Sequence, residues 1–351
     1  MLDWKEPRRA LLAWYDVHAR DLPWRRTRDP YAVWVSEIML QQTRVETVIP
    51  YFERFLARFP DAASLADASL DDVLAHWSGL GYYRRARLLY EGARVVVRDH
   101  AGELPRDPAL RRALPGIGAY TAGAIGSIAF DLPEPIVDGN VARVLSRVLC
   151  IEAPLGERGS ERALWAAASE LAQGERPGAL NQALMELGAR VCTPVNARCL
   201  VCPIRAHCAA HEHGRVDELP VPTKKKPPKP VALVALVARA DDGALWLTRS
   251  EGSLFGGLWG CPLAEGSGRA RARALADELA LAGTLSTRKL GALTHVLTHR
   301  ALTVEVYGLR AVQGREHGSL RKLDEDALAT VGVATLTRKI LAAAASAVPT
   351  S

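Results

Sequence analysis

Apolar residues recur at helical spacing through most of the first two hundred positions. The pattern predicts helices over 8–19, 30–42, 45–59, 84–99, 121–130, 141–149, 161–172 and 179–191. Several open behind a start signal, as at Asp29-Pro30, where an acidic cap precedes a proline suited to the first helical position. Past residue 230 the period shortens. Residues 231–238 and 302–309 read as short strands, with turns at Asp241-Asp242-Gly243 and Gly256-Gly257. Residues 269–281 form the one clear helix of that region. An all-α domain followed by a smaller α+β domain is expected, and no internal repeat is visible.

A chain of 351 residues exceeds one ordinary domain and fits two. Lysine marks the joint. Of eight lysines, none falls between Lys5 and the group Lys224, Lys225, Lys226 and Lys229. These sit in the proline-rich stretch 220–230, which is unsuited to helix or sheet. The expected organisation is a helical domain over 1–216, a Pro/Lys-rich linker over 217–230 and a second domain over 231–346. With 48% hydrophobic and 24% charged residues the composition is that of a folded globular protein. Lys plus Arg exceed Asp plus Glu by 45 to 39, and the net charge of +6 favours a polyanionic partner. No run reaches the roughly 18 apolar residues of a membrane span. The opening Met1-Leu2-Asp3-Trp4-Lys5 lacks a signal core. A soluble, cytoplasmic monomer without a membrane partner is expected.

Four of the six cysteines fall within seventeen positions: Cys192, Cys199, Cys202 and Cys208. Thiolates this close in sequence can wrap a single inorganic centre. Zinc sites of four cysteines usually pair two short knuckles across a longer loop, so the compact, uneven spacing suits a [4Fe–4S] cluster better. With all irons ligated by protein the cluster has no open site, and its role is structural and DNA-positioning, with Arg198 and Arg205 beside it. Cys150 and Cys261 stand alone and read as apolar fillers.

A second motif is Leu114-Pro115-Gly116-Ile117-Gly118-Ala119-Tyr120-Thr121, between two helical stretches. Gly116 and Gly118 let backbone amides project from a tight turn into the next helix, an arrangement that holds a phosphate without side-chain charge. About twenty residues on, Ile136-Val137-Asp138-Gly139-Asn140-Val141 sets an acidic residue just before a helix.

The chain resembles the MutY-type adenine DNA glycosylases, members of the helix-hairpin-helix (endonuclease III) superfamily that carry a C-terminal Nudix-like domain. The likeness rests on Trp34-Val35-Ser36-Glu37-Ile38-Met39-Leu40-Gln41-Gln42-Thr43, Gly79-Leu80-Gly81-Tyr82-Tyr83, Leu114–Thr121, residues 137–143, Asn181-Gln182-Ala183-Leu184-Met185-Glu186-Leu187-Gly188 and the four cysteines. It covers nearly all of the first 210 residues. It implies an all-α helix-hairpin-helix glycosylase domain with an iron–sulfur loop, and removal of adenine mispaired with 8-oxoguanine or guanine from double-stranded DNA.

Breaking an N-glycosidic bond requires a proton for the departing base and a negative counter-charge for the cationic sugar, a division of labour that two differently placed carboxyls can perform. Glu37 lies among Trp34, Ile38 and Met39, where burial should raise its pKa. By resemblance it protonates adenine at N7. Asp138 stabilises the sugar cation, with a transient covalent bond open to it, and Asn140 and Tyr120 orient it. The resemblance also assigns Gln42 and Tyr82 to the gap left by the extruded nucleotide and Thr43 to the opposite base. Trp24, Arg25 and Gln182 are assigned to the adenine pocket. Relatives that also cut the strand carry a lysine where this chain has Tyr120, so a monofunctional enzyme with water as acceptor is expected.

In the second domain Gly256-Gly257-Leu258-Trp259-Gly260-Cys261-Pro262-Leu263 resembles a Nudix segment, but the helix that should follow offers Glu278 as its only glutamate. Pyrophosphate hydrolysis is therefore excluded, and an 8-oxoguanine reader is expected. Where the family has Phe-Ser-His in a hairpin, this chain has Leu297-Thr298-His299, so Thr298 and His299 keep hydrogen-bonding capacity while the aromatic ring is lost. Two other readings stand beside this one: a thymine- or uracil-directed mismatch glycosylase of the same fold, and a non-catalytic module that binds DNA structure.

Overall fold

A computed structural model describes residues 3–222, 227–250, 252 and 255–346. Among the described residues twelve α-helices come first. They are α1 (Lys5–His18), α2 (Pro30–Leu40), α3 (Val45–Arg58), α4 (Ala62–Asp67), α5 (Leu70–His76) and α6 (Arg84–Asp99). Then follow α7 (Pro108–Ala113), α8 (Ala119–Ile128), α9 (Gly139–Val148), α10 (Arg158–Ala172), α11 (Pro177–Arg190) and the short α12 (Ala209–Glu212). The remainder is a sheet with three helices: β1 (Lys229–Arg239), β2 (Leu245–Arg249), β3 (Trp259–Gly260), β4 (Leu263–Glu265), α13 (Gly268–Glu278), β5 (Ala282–Leu285), β6 (Gly291–Val296), β7 (Arg300–Gln313), β8 (Leu320–Leu323), α14 (Glu325–Ala329) and α15 (Thr335–Ala345).

The chain forms two compact units, Met1–Ala66 with Glu91–Lys225, and Asp67–Tyr90 with Lys226–Ser351. The core of the first gathers Leu11, Leu145, Leu164, Leu180 and Leu187 from α1, α9, α10 and α11. Close approaches fix how these helices meet. A Cβ on Gly188 of α11 would lie 2.6 Å from the Cβ of Asn140, so only glycine lets α11 pack there against the start of α9. Asn181, buried on α11, donates from Nδ2 to Ser127 Oγ and to the Glu134 carbonyl, both at 2.8 Å. It thereby ties α11 to α8 and to the segment that leads into α9.

In the second unit β1 and β7 pair in parallel from Lys229↔Arg300 to Ala238↔Leu309, and every other ladder is antiparallel. The path runs β3-β2-β1-β7-β5, with β4 on β1, β6 on β7 and β8 on β2. Leu275 and Ala276 of α13 pack one face of the sheet, Leu336 and Ile340 of α15 the other. Residues 67–90 belong to this unit: Asp71 accepts a bond from Arg249 at 2.6 Å, and the Tyr83 hydroxyl donates to the Val333 carbonyl at 3.2 Å.

Several expectations change. The helical pattern had not revealed α4, α5 or α7, which are one to two turns long and bury few side chains each. The region after residue 230 holds α14 and α15 in addition to α13. Lys229 and Pro230, placed in a stretch unsuited to sheet, begin β1, since a proline is tolerated at a strand's first residues. Lys224, Lys225 and Lys226 of the expected linker lie outside the described residues.

Candidate active site

One cavity of about 570 Å³ opens in the helical unit, within the size range of small-ligand sites. Glu37, Tyr120, Asp138 and Asn140 line it together. Glu37 lies on α2, where residues 31–39 are all buried, and it is itself 4% exposed. A helix apolar on every side forces this carboxyl out of water, and burial pushes it up to about 7. The Tyr120 hydroxyl donates to its Oε2 at 2.6 Å, which pulls in the opposite direction, as does the charge of Arg25, while the charge of Asp138 adds to the rise. The Tyr120 phenol is raised well above its ordinary value, by burial first and by these two carboxyls next, so it remains a donor.

Asp138 is the N-cap of α9. Its Oδ1 accepts the Val141 N–H at 2.7 Å and its Oδ2 accepts Asn140 Nδ2 at 2.9 Å, which fixes the carboxylate plane. Asn140 is oriented in turn by Arg143, whose Nη2 donates to Asn140 Oδ1 at 2.9 Å and to the Gly188 carbonyl at 2.7 Å.

Another wall of the cavity comes from a 3₁₀ turn at Pro23–Arg25 and from α11. Trp24 packs edge-on against Phe52 at 5.5 Å. Arg25 donates to Glu186 Oε2 at 2.8 Å, and Arg20 binds both carboxylate oxygens of Glu186, at 2.7 and 3.0 Å. Burial alone would raise Glu186, but these two guanidiniums overcome it and hold the carboxyl below its ordinary value. Gln182 accepts from the Tyr15 hydroxyl at 3.2 Å and also lines the cavity, as do Gln42 and Thr43. Gln42 is exposed, with φ of 56°, just beyond the end of α2.

Other residues singled out in the sequence lie elsewhere. Gly116 and Gly118 form the α7–α8 turn and do not line the cavity; Gly116 has φ of 77° and Gly118 caps α8. Tyr82, Thr298 and His299 belong to the second unit. Tyr82 is 50% exposed at φ of 49°, and the Arg85 guanidinium lies 5.3 Å from its ring. Thr298 and His299 are exposed in the three-residue turn between β6 and β7, closed by Leu297 N–H donating to the Arg300 carbonyl at 2.8 Å. Leu297 packs toward the core instead, and the neighbouring Val296 is the large apolar side chain left exposed, at 65%.

Cys192, Cys199, Cys202 and Cys208 line one recess, none of them in a disulfide. Burial pushes Cys202 up to about 12 and also raises Cys199 and Cys208. Among the described residues no three His, Cys, Asp or Glu side chains converge as around a single metal ion. Four cysteine side chains around one recess are the donor set that a four-thiolate metal centre uses. Arg205 lines the recess, whereas Arg198 donates to the Arg190 carbonyl at 2.8 Å, at the end of α11.

Sequence reasoning missed Arg20, Glu186, Arg143 and Arg147 as part of these sites. Glu186 stood inside the quoted 181–188 segment, four residues after Gln182 and hence on the same helix face, which was the available signal.

Residues 35–170 match the family described as HhH-GPD superfamily base excision DNA repair protein, and residues 233–343 match the NUDIX domain. The chain is 41% identical over 370 residues to the adenine DNA glycosylase of Rattus norvegicus, across 89% of this chain and 72% of the rat protein. It is 38% identical over 399 residues to that of Homo sapiens, across 95% of this chain and 73% of the human protein. Among solved structures, a thermostable thymine-DNA glycosylase superposes with a TM-score of 0.53 at 29% identity, over 60% of this chain and all of its own. A trapped endonuclease III–DNA complex, at 20% identity and a TM-score of 0.50 over 61% of this chain and 99% of its own, shares the fold.

Proposed function

Because the chain belongs to the adenine DNA glycosylase family, we propose that it excises adenine paired with 8-oxoguanine, or with guanine, from duplex DNA in base excision repair. The observation that carries the reading is the pairing of two unlike carboxyls in one cavity, Glu37 buried with its pKa raised and Asp138 fixed by two N–H donors.

The target nucleotide leaves the stack and enters the cavity between them. Glu37, pushed up to about 7, keeps a proton available near neutral pH and passes it to N7 of adenine as the N-glycosidic bond breaks. Asp138 faces the anomeric carbon and stabilises the oxocarbenium charge until water adds there. Asn140 holds the Asp138 plane, and Tyr120 aims the Glu37 carboxyl. Trp24, Arg25 and Gln182 form the base pocket, whose polar side is kept rigid by Glu186 between Arg20 and Arg25.

No lysine stands between residues 6 and 223, and position 120 carries a phenol already committed to Glu37, so the enzyme releases the base without cutting the strand. Gln42 and Tyr82 fill the vacated stack, Thr43 meets the opposite base, and the amides around Gly116 and Gly118 hold a backbone phosphate. The residues after 230 form a reader in which Thr298 and His299 hydrogen-bond the oxidised guanine. The four cysteines ligate a [4Fe–4S] cluster that orders the loop between α11 and α12.

Purified protein on duplexes with A opposite 8-oxoguanine, A opposite G and T opposite G tests the reading. Base loss is expected on the first two, with strand breaks only after alkali. Loss of thymine with adenine left intact, or breaks without alkali, would contradict it.

A further inference from the structure

Arg147 lies on α9 with 2% of its surface exposed. Its guanidinium donates from Nη1 to Cys192 Sγ at 3.2 Å and to the Thr193 carbonyl at 2.8 Å. Nη2 donates to the Pro194 carbonyl at 3.4 Å, and Nε to the Leu219 carbonyl at 2.9 Å. One side chain thus grips residues 192–194, where the cysteine loop begins, and residue 219, beyond its last cysteine. Burying a guanidinium is costly unless its donors are used. Here they are used on three carbonyls and one sulfur, and none of these described acceptors is a carboxylate. Among the described residues no carboxylate forms an ion pair with this guanidinium, and it lines the recess formed by the cysteines.

We propose that Arg147 sets the reduction potential of the cluster and secures its first ligand, Cys192. The inference rests on the cluster assignment made above. A [4Fe–4S] centre with four thiolates carries net negative charge, which grows by one when it gains an electron. A fixed cation and N–H donors beside a ligating sulfur stabilise the more negative state and raise the potential. The couple takes its electron from an electrode and no bond forms or breaks. Because the same guanidinium ties Cys192 to residue 219, its loss also frees the loop to open around the metal.

The test uses the full chain as isolated, in wild-type form and as Arg147→Met and Arg147→Lys. Iron content and visible absorption are read first, then the potential by film voltammetry, then iron loss to a chelator. Arg147→Met is expected to shift the potential negative and to lose iron about tenfold faster or more. Arg147→Lys, which keeps the charge but not the planar fork, is expected to show a smaller negative shift with faster iron loss. A wild-type potential in Arg147→Met with iron retained would overturn the proposal. If that variant holds no iron, unchanged potential and iron retention in Arg147→Lys would overturn it instead. A wild-type protein that carries no iron would remove the cluster assignment itself, which is a distinct result. A merely structural clamp would leave the potential of iron-loaded variants where it was.

Discussion

Glu37 is almost fully buried on a helix that is apolar on every side, whereas Thr298 and His299 stand exposed in the turn between β6 and β7. The first region is overdetermined. The Glu37 carboxyl is bonded by Tyr120, Asp138 by Val141 and Asn140, Asn140 by Arg143, and Glu186 by Arg20 and Arg25. The second is held by its ladder to β7, one bond across the turn and one from the Lys229 N–H to the His299 carbonyl, with both side chains exposed. The contrast follows from the tasks proposed for them. Breaking a glycosidic bond needs desolvated groups that do not reorganise during reaction. Reading an opposite base needs groups that DNA can reach. Changes in the cavity should therefore alter rates by orders of magnitude, and changes at the turn should alter partner preference by small factors.

The largest effect is expected from Glu37→Gln, which keeps the shape and removes the proton donor. Single-turnover excision should fall by about 10³-fold or more while duplex binding persists. The same variant sharpens the point about burial. The wild-type Glu37 carboxyl is raised from 4.5 to about 7, so between these values the folded chain holds a proton that the unfolded chain has released. Stability conferred by that proton is lost as pH rises through the window. Denaturant titrations at pH 5 and pH 8 should show the wild type losing stability relative to Glu37→Gln, by on the order of 3 kcal/mol. Parallel behaviour of the two proteins would deny that Glu37 titrates in the cavity.

Asp138→Asn comes next. It keeps the side-chain size and much of the capping geometry but removes the counter-charge, and the excision rate should drop by about 10²-fold at all pH values. A smaller change is expected from Tyr120→Phe. The lost hydrogen bond is one that holds Glu37 down, so its apparent pKa should rise and the alkaline limb of the rate profile should move to higher pH. The maximal rate should change by less than about tenfold, the range of a single hydrogen bond. His299→Ala should have the least effect: about a fivefold loss of preference for 8-oxoguanine over guanine as the opposite base, with excision opposite guanine unaltered. A loss of rate on both substrates would erase the division between the two regions.

Legibility in the sequence tracks the same contrast. The helix over 84–99 was read to the residue and α9 to within two residues because one face repeats over several turns, while α2 was read to within two residues from its Asp29-Pro30 start and its unbroken apolar run. The motif residues Glu37, Tyr120, Asp138, Asn140, Trp24, Arg25 and Gln182 meet in one cavity. The roles of Arg20 and Arg147 were illegible, and that of Glu186 went unread although it stood four residues after Gln182. Each is an ordinary charged residue on or near a helix until α1, α9 and α11 pack it against partners 45 or more positions away. The parallel pairing of β1 with β7 was hidden for a similar reason, since strand periodicity gives the buried face of each strand and not its neighbour. The grouping of residues 67–90 with the sheet unit depends on bonds such as Asp71 with Arg249, which leave no trace in local pattern.

The central claim is that a protonated Glu37 delivers the proton that releases adenine. Its most direct test is the pH dependence of single-turnover excision from a duplex with A opposite 8-oxoguanine. The rate should decline above an apparent pKa near 7, the value to which burial raises this carboxyl, and Glu37→Gln should abolish that limb along with turnover. A rate that stays level or climbs from pH 7 to pH 9 would contradict the account.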